Sequence, residues 1–345
     1  MSGAASFTSV PIIDIGGLRS PDRTECERVA GELGKAAREV GFFYVSGAGV
    51  DDGVFDRMLA STKGFFALPL EEKMRSYIGL SKCHRGYVPS GEEGLATGMP
   101  EMKEAFDTAL DLPADDPDYL AGNPMLGPNV WPDLPGFAEA VTEYYDAVLD
   151  VGHRLLWAFA VALGENPDAF SRHATKTPSQ LRLIHYPHNP DAADGEGIGA
   201  HTDYECFTLL KPTAPGLEVL NGAGQWIDVS PVPGTFVVNI GDMLELWTNG
   251  AYLATSHRVR KVAEERYSFP LFFNVDYHTE VKPLPQFASR HGKERPALRA
   301  GEHLFAQTAQ TFAYLRNRVE AGELVLPDGS LEIGQFGQQA LQKRR

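Results

Sequence analysis

The pattern of apolar and polar positions marks a strand-rich part of the chain between residues 181 and 282. Short apolar or alternating runs there are separated by glycine, proline and asparagine turns. This spacing is typical of an all-β sandwich or barrel rather than of alternating βαβ units. Phe207–Leu210 is rich in strand-forming residues, and Thr255–Val262 alternates. Residues 237–250 predict two further strands, joined by a turn at Gly241-Asp242.

Helical periodicity is found on both sides of this strand-rich part. An apolar pattern covers Phe137–Leu163 and stops at Gly164, with Pro167 beyond it. This arrangement predicts one long helix. A second helix is expected over about Gly301–Val319, packed on the outside of the barrel. The predicted fold class is therefore mainly β with flanking helices (α+β).

Two histidines and one aspartate in the strand-rich part form a candidate metal site. His201 and Asp203 are separated by one residue, so their side chains share a face of an extended strand. His257, in the alternating run, would complete two imidazoles and one carboxylate, the set that holds non-haem Fe(II) and leaves coordination positions open. Alone, His-x-Asp is weak evidence, because about one such tripeptide is expected by chance, and a polar strand edge would explain it.

Arg266 and Ser268 follow the second histidine with the same spacing, so guanidinium and hydroxyl also share a face. The strand continues over Phe269–Val275. An arginine directed into an apolar barrel needs a partner, because a buried unpaired charge is costly. A bound dicarboxylate would supply that partner. The alternative is an edge-strand arginine paired with Glu264 or Glu265.

His278 and Glu280 repeat the spacing of a histidine and a carboxylate one residue apart. No histidine followed by Arg-x-Ser comes after them, and the histidines that remain, His291 and His303, lie near the helical tail. We therefore interpret His278 as a surface loop residue.

The order His-x-Asp, distal His, Arg-x-Ser resembles the Fe(II)- and 2-oxoglutarate-dependent dioxygenase superfamily, and more narrowly its isopenicillin N synthase-like branch. Further landmarks in family order extend the resemblance over most of the chain: Val10–Ile15, Gly41–Val45, Phe65-Phe66, Leu68–Lys73, Gly86-Tyr87, Lys103–Asp107, Gly199–Asp203, Gly216–Val219, Gly241-Asp242 and Thr255–Arg258. One departure is Gly47–Gly49, where the branch usually has Asn-His-Gly. The resemblance implies a double-stranded β-helix, or jelly-roll, core.

Roles for individual residues follow from this resemblance. It implies that His201, Asp203 and His257 bind iron and form the catalytic centre. It also implies that Arg266 and Ser268 hold the distal carboxylate of 2-oxoglutarate. Tyr186, in the His-Tyr-Pro turn, would help to hold it.

Arg182 is a further candidate for cofactor binding. Many plant members have asparagine two residues before the tyrosine, where this chain has Ile184. The bacterial ethylene-forming enzyme resembles this chain in having an aliphatic residue there and an arginine two residues earlier. Arg182 would then contact the proximal carboxylate of 2-oxoglutarate or the substrate, and the alternative is an ordinary strand arginine.

An apolar wall is expected around the substrate. Phe207, Phe272 and Phe273 are candidates for part of this wall. Tyr204, immediately after the aspartate ligand, is a candidate substrate contact, with an ordinary core residue as the alternative.

The implied activity is an oxygenase that couples decarboxylation of 2-oxoglutarate, to succinate and CO2, with oxidation of a small molecule by O2, most simply hydroxylation. Two alternatives stay open. The first is a 2-oxoglutarate-independent Fe(II) oxidase, because isopenicillin N synthase and the plant ethylene-forming oxidase use their Arg-x-Ser to bind other carboxylates. A non-catalytic ligand- or metal-binding barrel is the other. The substrate, and the choice between hydroxylation, desaturation, cyclisation and fragmentation of 2-oxoglutarate, are left open.

Charge and cysteine content narrow the partners and the location. The net charge is −15 and the one basic run is Lys343–Arg345, which argues against nucleic acid because phosphate binding needs clustered lysine and arginine. Cys26, Cys83 and Cys206 have no metal-site or redox spacing, and an odd count suits a reducing compartment. With neither a signal-peptide pattern nor a membrane-length apolar run, the expected location is the cytoplasm. The oligomeric state is open.

A length of 345 residues is compatible with two domains, although β-barrel enzymes of this length are often one. We predict one catalytic unit. Its parts are a mixed α/β N-terminal region (1–120), a helical support (121–176), the jelly-roll core (177–282) and a C-terminal helical tail (283–345).

Overall fold

The structure is a computed structural model that describes residues 6–94, 103–189, 196–260, 263–288, 297–327 and 330. Within them the chain forms fourteen strands and eight α-helices. The strands are β1 (Ile12–Asp14), β2 (Phe42–Ser46), β3 (Gly86–Val88), β4 (Glu104–Ala109), β5 (Gln180–Tyr186), β6 (Glu196–His201), β7 (Phe207–Pro212), β8 (Leu217–Leu220), β9 (Trp226–Asp228), β10 (Phe236–Ile240), β11 (His257–Arg260), β12 (Arg266–Phe273), β13 (Glu280–Val281) and β14 (Leu298–Arg299). The helices are α1 (Arg23–Glu39), α2 (Asp52–Phe66), α3 (Leu70–Met74), α4 (Pro117–Leu120), α5 (Phe137–Ala162), α6 (Asp242–Trp247), α7 (Ala300–Thr311) and α8 (Ala313–Glu320).

Two sheets form the jelly-roll core. The major sheet has the order β1-β2-β10-β7-β12-β5-β4-β3, and the minor sheet has the order β6-β11-β8-β9. All neighbours in both sheets are antiparallel except β1 and β2. Strands β1 to β4, from the N-terminal part of the chain, therefore extend the same sheet that β5, β7, β10 and β12 build. The fold class predicted from the sequence is confirmed.

Each face of the major sheet has its own hydrophobic cluster, as period-two alternation requires. The outer cluster joins alternate residues of the sheet, such as Leu181, Leu209 and Leu271, to helices α1, α2 and α5. The inner cluster joins the residues between them, such as Ile184 and Leu210, to the minor sheet. The candidate chemistry lies between the sheets.

The long helix predicted over Phe137–Leu163 is confirmed as α5. The second strand predicted within 237–250 is wrong, because this segment is helix α6. Strand β10 ends at Ile240, and after Gly241 the amides of Asp242 and Met243 donate to the carbonyl oxygens of Asp203 and Glu205. The turn of helix that follows buries its apolar side chains at helical spacing: Met243, Leu244, Leu246 and Trp247.

The helix predicted over Gly301–Val319 is two helices, α7 and α8, separated at Phe312. Phe312 takes an extended conformation, with φ −93° and ψ 128°, and forms a β-bridge with Glu93. The prediction that this helix packs outside the barrel is also wrong, because Leu304, Phe305 and Phe312 belong to the inner cluster. Apolar periodicity shows that a helical face is buried, but it does not show against which surface.

Some predicted features lie outside the described residues. These are Lys343–Arg345, His291 and the end of the alternating run beyond Arg260. In the part of the chain that the structure describes, none of the helices is both long and apolar enough to cross a membrane.

Close packing between α5 and β12 gives a test of the fold. A Cβ at Gly152 would lie 2.2 Å from Cδ2 of Phe273, a fully buried ring. We expect Gly152→Ala to lower the free energy of unfolding, because overpacking costs about 1–3 kcal/mol and exceeds the gain in helix propensity of about 1 kcal/mol. Gly31→Ala in α1 is the matched control: no described residue lies within 4 Å of its added methyl group, so it should stabilise. Chemical denaturation measures both, and equal stabilisation would contradict this packing.

Candidate active site

Two histidines come together through strand pairing in the minor sheet. His201 ends β6, His257 begins β11, and the two are directly opposite each other in the antiparallel register. Their ring centroids are 4.3 Å apart. Nδ1 of His201 donates to the carbonyl oxygen of Gly199 (2.7 Å), and Nδ1 of His257 donates to that of Thr255 (3.2 Å). Because Nδ1 of each ring already donates to a carbonyl oxygen, Nε2 is the nitrogen that is available to a metal.

Asp203 completes the group from the loop after β6. It was predicted to share a strand with His201, but the strand ends at His201 and Asp203 lies in the loop beyond. Its Oδ1 lies 3.7 Å from Nε2 of His201 and 3.5 Å from Nε2 of His257. Across the described residues, His201, Asp203 and His257 are the one group with metal-ligand geometry, their ligand atoms all within 4.8 Å of one another.

Burial and charge suit this group to a cation. Burial opposes ionisation of Asp203, but the charge and hydrogen bond of His257 outweigh it and lower the pKa of the carboxyl. Burial has the opposite result at Glu205, where it raises the pKa to about 8, helped by the nearby charge of Asp203. Asp203 therefore carries the negative charge next to the histidines. The side chain of His201 is 37% exposed whereas those of Asp203 and His257 are 5% and 7% exposed, so the open side of the group is at His201.

Arg266 is a candidate anion site in the interior of the part of the chain that the structure describes. It is 1% exposed, lies at the start of β12 opposite Tyr186 of β5, and stacks over the Tyr186 ring at 4.8 Å. Its Nε donates to the carbonyl oxygen of Ala214 (3.2 Å), while Nη1 has no hydrogen-bond partner among the described residues. Burial lowers the pKa of the guanidinium, yet arginine stays charged in proteins. A buried cation with an unpartnered donor fits the carboxylate of a dicarboxylic acid.

The alternative partners for Arg266 are not used. Glu265 accepts hydrogen bonds from His185 and Tyr267. Ser268 is buried, two residues after Arg266 on the same strand, so its side chain shares the face of Arg266. The structure thus places Arg266, Ser268 and Tyr186 on the inner face of the major sheet.

Arg182 lies on the same inner face but already has partners. It donates to both oxygens of Asp107 (2.7 Å each) and forms a short ion pair with Glu93. Glu93 also pairs with Lys103 at 2.8 Å. The four side chains are buried and carry balanced charges.

The predicted aromatic wall is divided by strand alternation. Phe207 and Phe273 stack on each other with centroids 4.8 Å apart and belong to the outer cluster against α5. The structure does not bring them to the triad. Each is next to an inward-facing residue of its strand, so its own side chain points to the outer face. Phe272, by contrast, is opposite Thr208 in the register and shares its inward face. Tyr204 is half-buried and packs against the inner cluster, 6.4 Å from the ring of His303 on α7.

Sequence reasoning missed several residues around the triad. Thr208 and Asn239 both contact Asp203, and the ring of Phe42 meets His257 edge-on at 5.3 Å. Asn239 had a visible signal, since it is the polar residue within the apolar run of β10. His278 is at the surface, with its side chain 61% exposed and bonded to Asp118, as predicted.

Comparisons with known proteins agree with this geometry. The family described as the non-haem dioxygenase in morphine synthesis N-terminal region matches residues 10–134. The 2OG-Fe(II) oxygenase superfamily matches residues 177–275, which contain the triad, Arg266 and Ser268.

Among curated relatives, the homoarginine-6-hydroxylase 2-ODD-C23 of Glycine max is 36% identical over 333 residues, covering 90% of this chain and 100% of the relative. The 2-oxoglutarate-Fe(II) type oxidoreductase hxnY of Emericella nidulans is 36% identical over 289 residues, covering 81% and 83%. Among solved structures, a full-length Neurospora crassa protein in complex with alpha-KG aligns with a TM-score of 0.75 at 26% identity, covering 90% of this chain and 99% of that one. The chain therefore belongs to the 2-oxoglutarate- and Fe(II)-dependent oxygenase superfamily, in its isopenicillin N synthase-like branch, as an oxidoreductase that uses Fe(II), 2-oxoglutarate and O2.

Proposed function

We propose that this enzyme hydroxylates a small polar molecule, with Fe(II) held by His201, Asp203 and His257 and with 2-oxoglutarate anchored by Arg266. Bound iron would supply the oxidising chemistry, and the protein would orient the reactants and exclude water. The observation that carries the proposal is the buried Arg266, whose Nη1 lacks a partner in the described residues and which shares the interior with the triad. In a 2-oxoglutarate-independent oxidase, an anionic group of the substrate would have to pair with the Arg266 guanidinium.

The proposed roles on the inner face follow from the contacts. Arg266 and Ser268 would bind the distal carboxylate, and Tyr186 would hold the guanidinium by stacking. A contact between Arg182 and 2-oxoglutarate or substrate stays a prediction. Since Arg182 is paired with Asp107 and Glu93, we propose that its first role is to hold these two carboxylates at the edge of the site.

A basic amino acid is the substrate class that we propose to test first. Relatives from soybean, rice and Arabidopsis are named homoarginine-6-hydroxylases. Both Glu93 and Asp107 are already paired with Arg182, and Glu93 also with Lys103, so the names of these relatives are what support the proposal. Tyr204, half-buried beside Asp203, stays our candidate substrate contact, and Phe207 and Phe273 are not included because they face α5. The absence of nucleic acid partners and a cytoplasmic location stay predictions.

The metal site is tested by removing one ligand. His257→Ala should weaken Fe(II) or Co(II) binding by at least about a hundredfold, because the site would lose one of its three ligands. His278→Ala is the matched control, since that histidine is exposed and lies outside the triad. Anaerobic equilibrium titration measures both. Unchanged binding in His257→Ala would contradict the assignment.

The cosubstrate site is tested by an anaerobic titration of the Fe(II)-loaded enzyme with 2-oxoglutarate, observing the visible charge-transfer band. We expect a saturable band in the wild type. Arg266→Ala should weaken 2-oxoglutarate binding about 30-fold or more, equivalent to about 2 kcal/mol, because the distal carboxylate loses a buried charged partner. Arg266→Lys should restore part of the affinity, and Arg57→Ala, on the exposed surface, should change nothing. If Arg266→Ala binds 2-oxoglutarate as tightly as the wild type, Arg266 does not anchor the cosubstrate.

The substrate proposal is tested by measuring succinate release with a panel of homoarginine, arginine, lysine and thymine. We expect a basic amino acid to accelerate succinate release and to yield a product heavier by one oxygen atom. Oxygen-dependent oxidation of a substrate without any succinate would favour the 2-oxoglutarate-independent alternative.

A further inference from the structure

The two oxygens of Asp203 have different surroundings. Oδ1 faces Nε2 of both histidines. Oδ2 points the other way and accepts a hydrogen bond from Nδ2 of Asn239 (2.6 Å) and a short one from Oγ1 of Thr208. All three side chains are nearly inaccessible, with exposed fractions of 6% for Asp203 and 2% for each donor. The carboxylate is therefore held with Oδ1 toward the two histidines and Oδ2 bonded to the major sheet.

Both donors come from one register pair of the major sheet. Asn239 on β10 and Thr208 on β7 are directly opposite each other in the antiparallel ladder. Their side chains therefore lie side by side on the inner face and converge on a single oxygen. The backbone of the loop is fixed as well, because the amide of Asp242 donates to the carbonyl oxygen of Asp203 (2.8 Å).

The orientation of Asp203 decides how many coordination positions stay open. Two imidazoles and one carboxylate oxygen would hold Fe(II) and leave the remaining coordination positions to 2-oxoglutarate and O2. A carboxylate that bound through both oxygens would take the position that O2 needs. A carboxylate oxygen has two lone pairs, and on Oδ2 both are engaged by donors that sit on rigid strands. Those donors oppose rotation of Oδ2 toward the metal.

We infer that Asn239 and Thr208 are positioning residues that keep Asp203 a one-oxygen ligand and thereby preserve a coordination position for O2 when 2-oxoglutarate is bound. The inference rests on the proposed metal and cosubstrate site and adds to it a function for Asn239 and Thr208 that acts through Asp203. On this inference, Asn239 and Thr208 control how many oxygens of Asp203 bind the metal rather than how tightly the metal binds.

The test uses nitric oxide as a substitute for O2 on the anaerobic Fe(II)–2-oxoglutarate enzyme. Thr208→Val and Asn239→Leu remove the donors at nearly constant side-chain volume, and the double variant removes both. We expect the double variant to retain the charge-transfer band of bound 2-oxoglutarate and to bind nitric oxide at least about tenfold more weakly than the wild type, as measured from the EPR signal of the nitrosyl complex. Thr208→Ser keeps the hydroxyl and should behave as the wild type.

A merely structural role predicts a different result. It would lower the melting temperature and the iron content together, while the fraction that still binds 2-oxoglutarate would take up nitric oxide with wild-type affinity. That outcome would overturn the inference. Loss of the charge-transfer band in the wild type itself would instead overturn the proposed cosubstrate site, so the two failures are distinguishable.

A crystal structure of the wild-type enzyme with Mn(II) and 2-oxoglutarate provides a measurement that does not depend on the stability of any variant. One Asp203 oxygen on the metal, with the other still bonded to Asn239 and Thr208, supports the inference. Both oxygens on the metal would contradict it.

Discussion

The site depends on the antiparallel pairing of β6 with β11, because this pairing places His201 directly opposite His257. Two imidazoles can be brought to one point by a register pair, but a third facial ligand cannot come from the same sheet position. It comes from the loop that leaves β6, and that loop is attached to the major sheet through Thr208 and Asn239. The minor sheet thus supplies the two nitrogen donors of the proposed metal site, and the major sheet fixes its oxygen donor.

Strand alternation places the polar candidate-site residues and the apolar packing residues of the major sheet on opposite faces. On the major sheet, the inward positions carry Arg266, Ser268 and Arg182, while the positions between them join the outer cluster with α5. The same rule explains why Phe207 and Phe273 are structural residues. The ring of Phe273, which stacks on Phe207, fills the space that Gly152 leaves on α5 and so packs β12 and β7 against this helix.

Much of this arrangement was predictable from short-range patterns. Spacing and residue type were enough to select His201, Asp203, His257 and Arg266, because the strand period and ligand chemistry are local rules. The pattern failed where a tertiary contact decides the outcome. Segment 242–247 looks like a strand in sequence, but it becomes a helix because its first amides bond to the loop that carries Asp203.

The other failures have related causes. The partners of Arg182 come from β4 and from Glu93, far away in sequence, so a reading of β5 alone could not show that its charge was already balanced. The break at Phe312 likewise depends on a bridge to Glu93 rather than on any helix-breaking residue. Asn239 was recognisable in the sequence as a polar residue within an apolar strand, but the sequence did not show that it contacts Asp203.

The pairing of β6 with β11 also has a consequence for folding. Four strands and a helix separate these two strands in sequence, so the histidines meet only after long-range contacts have formed, which is the slow part of folding in β-rich proteins. A nascent or partly folded chain contains the same imidazoles and carboxylate without bringing them together. We therefore expect tight iron binding by all three side chains only after β6 has paired with β11, so that metal affinity would report on the completion of this pairing.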